Sequence, residues 1–169
     1  MISGVCVSWF AVELHTETAK LLDFEKGECT AQQTVEALAI LLALRSWSQQ
    51  WRGRRPVLEV KSDNVGALTM VIKMRSKGKG TGIIAREMAL DIALGEYQPN
   101  VVSHAPGVSA TIVDALSRKG QPGVDFHLPA LLRRVPEAHL PPIGRDFFRT
   151  LGNPQRTGAA SGSTGGSAA

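Results

Sequence analysis

Apolar and polar positions alternate or recur with distinct periods along the chain, and the periods predict an alternating order of strands and helices. Val5 to Leu14 carries β-branched and aromatic residues and reads as a strand with imperfect alternation. The polar stretch from His15 to Glu28 reads as a loop with a short helical turn at Thr18 to Phe24. "TAQQ", Thr30 to Gln33, has the form of a capping box and predicts a long helix to about Trp51. Its main buried stripe is expected at Ile40, Leu44, Trp47 and Trp51, which recur at helical spacing. Gly53 and Pro56 in "RGRRP" end it. Val57 to Lys61 then reads as a strand, and Asn64 to Met74 as an amphipathic helix. A glycine-broken basic loop, "RSKGKGTG", leads to a helix over Ile83 to Leu94 closed by Gly95. A short strand ends near His104, and a last helix follows, with Ser109 as its cap and Gly120 as its stop.

The order strand, helix, strand, helix, helix, strand, helix implies an α/β sandwich with at least partly parallel strands. Beyond Gly120, Pro122, Pro129, Pro136, Pro141 and Pro142 permit only short helices in a wrapping or extended segment. Gly152 to Ala169 is rich in Gly, Ser, Thr and Ala and is expected to be disordered. Three regions are therefore expected: a domain over 1–121, a proline-rich extension over 122–151 and a tail over 152–169.

Composition narrows the function classes only modestly. A chain of 169 residues that is 43% hydrophobic can bury one real core. Its net charge of +4 favours a polyanionic partner weakly. Cys6 and Cys29 match no metal or redox spacing and fit a reducing, intracellular setting, with cytoplasm and nucleus undistinguished. No apolar run approaches the roughly 20 residues of a membrane span, so no membrane partner is expected. Met1 is followed almost at once by strand-like sequence, which reads as a clipped N-terminus.

Three carboxylates stand out by position. Glu36 is the lone charge in "VEALAILLAL", where burial would be costly without a partner; a solvent-facing edge is the simpler reading. Asp63 follows a strand; alone, it reads as a helix N-cap. Asp114 precedes Arg118 by four residues; alone, it reads as half of a surface ion pair. Together, a strand end and two helices could gather carboxylates that repel unless a hard cation joins them. Lys73, Arg75, Lys77 and Lys79 are either a solvated loop or a patch that tracks phosphates. Arg52, Arg54 and Arg55 form a second basic cluster that suits the helix end. Trp47 and Trp51 are better explained by packing than by base stacking.

Three segments carry a family resemblance over about Val5 to Pro122. "QQTVEALAILLALRSW", "VKSDNVGAL" and "HAPGVSATIVDALSRKGQPG" resemble the first long helix, the fourth strand with its following helix, and the closing motif of ribonuclease H domains from retrotransposon reverse transcriptases. The last is the most specific. The resemblance implies a ribonuclease H-like fold, a mixed sheet flanked by helices, here with its first strands missing. It implies metal ligation of Mg²⁺ or Mn²⁺ by Glu36, Asp63 and Asp114, and assistance to proton transfer or product release by His104. It implies hydrolysis of the RNA strand of an RNA–DNA hybrid by two-metal catalysis, in a domain tethered to a polymerase within a parent polyprotein.

The chain departs from the family twice. No acidic residue lies in Met1 to Gly4, where the aspartate bridging both metals is expected, and Ala110 stands where the family usually has Asn. Activity should be impaired. A non-catalytic nucleic-acid-binding or scaffolding module of the same fold is the alternative, and an unrelated α/β interaction domain is a more distant one.

Overall fold

The computed structural model describes residues 6–25, 28–104, 111–140 and 142–151. Five α-helices and a small parallel sheet form its framework. The helices are α1 (Thr16–Leu21), α2 (Cys29–Ser46), α3 (Val65–Lys73), α4 (Lys79–Ala93) and α5 (Thr111–Ser117). The strands are β1 (Val57–Ser62) and β2 (Gln98–His104), joined through α3 and α4. The parallel pairing and helical crossover bear out the α/β class.

The core lies where α2 meets α3 and α4. Leu38, Leu41 and Leu42 of α2 are buried together with Met70 and Val71 of α3 and Ile84 and Met88 of α4. The apolar residues of α2 surround its axis, so the expected single stripe is too narrow. Ile40 and Leu44 are buried, while Trp47 and Trp51 are only half-buried. α2 also ends at Ser46, and Ser48–Trp51 forms a separate tight helical turn. Four polar residues in six, Ser46 to Trp51, leave too little apolar surface to hold another full turn.

One turn and one close helix contact depend on glycine. Gly95 has φ +76° and lies under the Arg55 side chain; a Cβ there would stand 2.7 Å from Arg55 Nε. Gly80 belongs to α4, not to a loop, and its missing side chain lets the helix meet the Leu22 carbonyl. The predicted glycine-broken loop is thus shorter than expected. Ser76 Oγ and Thr81 Oγ1, 2.6 Å apart, bind across the turn, and α4 starts at Lys79.

The N-terminal prediction needs correction. Among the described residues from Cys6 to Leu14 there is no regular strand, only one parallel bridge from Trp9 to Glu137. Trp9 N–H donates to the Pro136 carbonyl at 3.3 Å, and Ala138 N–H donates to the Trp9 carbonyl at 2.7 Å. Trp9 is buried and Phe10 and Leu14 pack against the core, but the segment pairs its backbone with the proline-rich extension rather than with a strand. That extension wraps as expected, with Leu132 and Phe148 buried and three short helical turns. The tail over 152–169 lies outside the described residues, as does Ser109.

No described helix is long and apolar enough to cross a membrane.

Candidate active site

The carboxyl ends of the two parallel strands lie side by side, because Ser62 of β1 pairs in register with His104 of β2. Ligands of open α/β sheets favour this rim. Asp63 follows Ser62 immediately and is exposed. Its simplest reading, as a helix cap, is overturned: Asn64 caps α3, with Oδ1 accepting the Ala67 N–H at 2.9 Å. Asn64 N–H in turn donates to Ser62 Oγ at 3.1 Å. The β1–α3 corner is therefore closed without Asp63, whose carboxylate is left facing solvent.

α2 supplies the second carboxylate. Glu36 is half-buried, and its Oε2 accepts a hydrogen bond from Ser62 Oγ at 3.4 Å. Burial raises its pKa, and the negative charge of Asp63 raises it further; the Ser62 hydrogen bond offsets part of this. Glu36 and Asp63 thus share an electrostatic neighbourhood although 26 residues separate Glu36 from Ser62 in sequence. One turn earlier on α2, Gln33 reaches the same corner. A Cβ on Gly66 would stand 2.9 Å from Gln33 Cδ. The capping-box pattern pairs Gln33 with Thr30, but α2 begins at Cys29, with Glu28 in the N-cap position. Nothing in the local sequence pattern around Gln33 signals its approach to the corner; Gly66 is the only trace.

Asp114 is placed differently. It lies in the first turn of α5, no residue of which is buried. Its Oδ2 accepts from Arg118 Nη2 at 3.2 Å, with both side chains more than half exposed. Among the described residues no three His, Cys, Asp or Glu side chains form a group able to hold a metal ion. Glu36 thus hydrogen-bonds Ser62, the neighbour of Asp63, and feels the Asp63 charge, while Asp114 forms the simple i,i+4 pair. His104 is placed by its backbone at the end of β2.

The basic residues Lys73, Arg75, Lys77 and Lys79 are all exposed around the end of α3 and the start of α4. Met74, at φ 49°, caps α3 in the left-handed conformation and turns the chain there. Lys79 faces Asp23 at 3.5 Å across solvent, an exposed pair of little energetic weight.

Sequence reasoning missed one charged cluster altogether. Glu87 and Asp91 of α4 are fully buried and both bind Arg45 of α2. Their i,i+4 spacing on an apolar helix was the available signal. No protein-family model matches the chain, and neither a curated protein nor a solved structure matches it significantly.

Proposed function

We propose that the chain is a ribonuclease H-like, nucleic-acid-binding domain that takes RNA–DNA hybrids and cleaves them poorly or not at all. The observation that carries this reading is the Glu36–Asp63 pair at the carboxyl rim of a parallel sheet, with Asp63 unused by the helix cap beside it. Two carboxylates and a serine hydroxyl are hard oxygen donors, the set that suits Mg²⁺ or Mn²⁺. Such a cation, when bound, would neutralise the repulsion between the two acids and polarise a phosphate or water.

The remaining chemistry belongs to the chain. Ser62 holds the Glu36 carboxyl toward the rim. Asp63, on the short corner between β1 and α3, presents a second carboxylate from the strand end. The exposed cations of Lys73, Arg75, Lys77 and Lys79 would pair with backbone phosphates, giving affinity without sequence preference. A hybrid would be read by groove shape and 2′-hydroxyls. The resemblance assigns His104 to proton transfer or product release and Asp114 to the metal, the latter from a helix that is now paired with Arg118. Tethering to a polymerase within an intracellular parent polyprotein belongs to the same proposal.

A non-catalytic binding or scaffolding module is the second reading. The exposed Asp114–Arg118 pair favours it, because an acid already paired with an arginine leaves two carboxylates to hold a cation. Incubating the full chain with an RNA–DNA hybrid, Mg²⁺ and rising salt tests both. Salt-sensitive binding with slow, Asp63-dependent cleavage supports an impaired nuclease, binding without cleavage supports the module, and absence of binding rejects both.

A further inference from the structure

Residues 144–151 are held by a charged socket rather than by long regular elements. Arg45 grips Asp91 through Nε at 2.9 Å and Nη2 at 3.0 Å, and reaches Glu87 at 2.5 Å. Its Nη1 donates to the Phe147 carbonyl at 2.6 Å, and its guanidinium lies 4.9 Å from the Phe147 ring. Arg149 returns to Asp91 and approaches Glu96 at 3.9 Å. Thr150 N–H donates to the remaining oxygen of Glu87 at 2.5 Å. Between these contacts Phe148 enters the core, 2% exposed.

The charge balance is informative. Arg45 belongs to α2, and Glu87 and Asp91 belong to α4, so their mutual contacts do not run through the C-terminal segment. Alone they carry one excess negative charge in a buried place, which is costly. Arg149 supplies the missing positive charge from the segment. The socket is complementary to an arginine beside an aromatic residue. An open cavity of about 600 Å³ runs along the segment, lined by Arg45, Glu96, Gly144, Asp146, Phe147 and Arg149 among others. The seating is therefore incomplete along one side.

We infer that residues 144–151 are a strap that docks into the Arg45–Glu87–Asp91 socket and opens as a unit while the helices and sheet stay folded. The segment packs Phe147, Phe148 and Leu151 on the core but is built from two three-residue turns with no ladder of regular hydrogen bonds, and segments of that kind open at lower cost than the helices they rest on. The apolar anchor Phe148 and the charge anchor Arg149 are adjacent, so losing one weakens the seat of the other. Opening uncovers both the Phe148 site and an acidic socket with one unbalanced charge.

Hydrogen exchange on the full chain, followed residue by residue, tests this with Arg149→Gln, a change at a partly exposed side chain that the core does not need. The amides of Phe148, Thr150 and Leu151 should exchange through a local opening, faster than those of Leu41 and Met88. Arg149→Gln should accelerate them on the order of tenfold, the loss of one charged hydrogen bond, and leave the α2 and α4 amides unchanged. Arg149→Lys should restore part of the protection. Equal protection throughout, a uniform acceleration, or no acceleration would each overturn the strap.

Discussion

Ser62, the last residue of β1, donates its hydroxyl to the Glu36 carboxylate of α2 at 3.4 Å, and this bond draws a lone helical acid to the strand end where Asp63 stands. The bond joins two elements that the core packs together for apolar reasons and gives their meeting point a polar purpose. Two acids placed close together, one of them half-buried, cost stability unless a cation joins them.

That cost sets a pH dependence. The Glu36 carboxyl is raised by burial and by Asp63, so the folded state binds its proton more tightly than the unfolded state does. Its contribution is favourable below the unfolded carboxylate range and is lost as pH rises through the raised value. Glu36→Gln should therefore raise the melting temperature at pH 7 and lose that advantage in acid. A thermal melt series across pH checks it; an advantage independent of pH would point to a different cause.

The buried cluster behaves oppositely. Burial alone would raise the Glu87 carboxyl, but hydrogen bonds from Thr150 and Arg45 outweigh it and hold it below its usual value. Its contribution is present above the unfolded range and is lost as pH falls through the lowered value. Arg45→Ala leaves two buried carboxylates short of their partner and should cost about 3–5 kcal/mol, measured by denaturant unfolding at pH 7.

Gly80 and Gly53 separate packing from backbone strain. A methyl at Gly80 would meet the Leu22 carbonyl and stand 2.9 Å from Thr34 Cγ2, so Gly80→Ala should cost about 1–3 kcal/mol by overpacking. At Gly53 nothing lies within 4 Å and φ is +77°, so Gly53→Ala should cost about 1–2 kcal/mol from conformation alone. Equilibrium unfolding of both variants, with crystal structures showing a shift only at residue 80, checks the distinction.

The basic turn should govern affinity for nucleic acid. Replacing Arg75 and Lys77 with Ala should weaken hybrid binding across all sequences and lower the salt slope by about 1 for each phosphate no longer neutralised. Lys79 faces Asp23 and should contribute less. Filter binding over a salt series measures both slopes.

Much of this arrangement is legible in the chain. Val57 to Ser62, the helix after it and the helix ending before Gly95 are marked by periodicity, although Asn64 and not Asp63 caps α3 and α4 starts at Lys79, ahead of its apolar run. Pairings between distant segments are not. Trp9 bridges to Glu137 because the extension folds back, and no local alternation announces that. Glu36 and Asp63 are individually conspicuous, but only the packing of α2 on the β1–α3 corner makes them neighbours. The i,i+4 spacing of Glu87 and Asp91 in "AREMALDIA" marks one helix face, but that this face is buried follows from Arg45 arriving from another helix.

The central claim is that Glu36 and Asp63 act together as a cation-holding pair. Side-chain carboxyl carbon NMR of the full chain, titrated with Mg²⁺ at neutral pH, tests it most directly. The Glu36 and Asp63 resonances should move together with a single apparent affinity, the Glu36 titration should fall toward the ordinary carboxylate range, and Asp63→Asn should abolish both changes. Resonances of Glu36 and Asp63 that stay still, or that move no more than those of exposed acids such as Glu17, would contradict it.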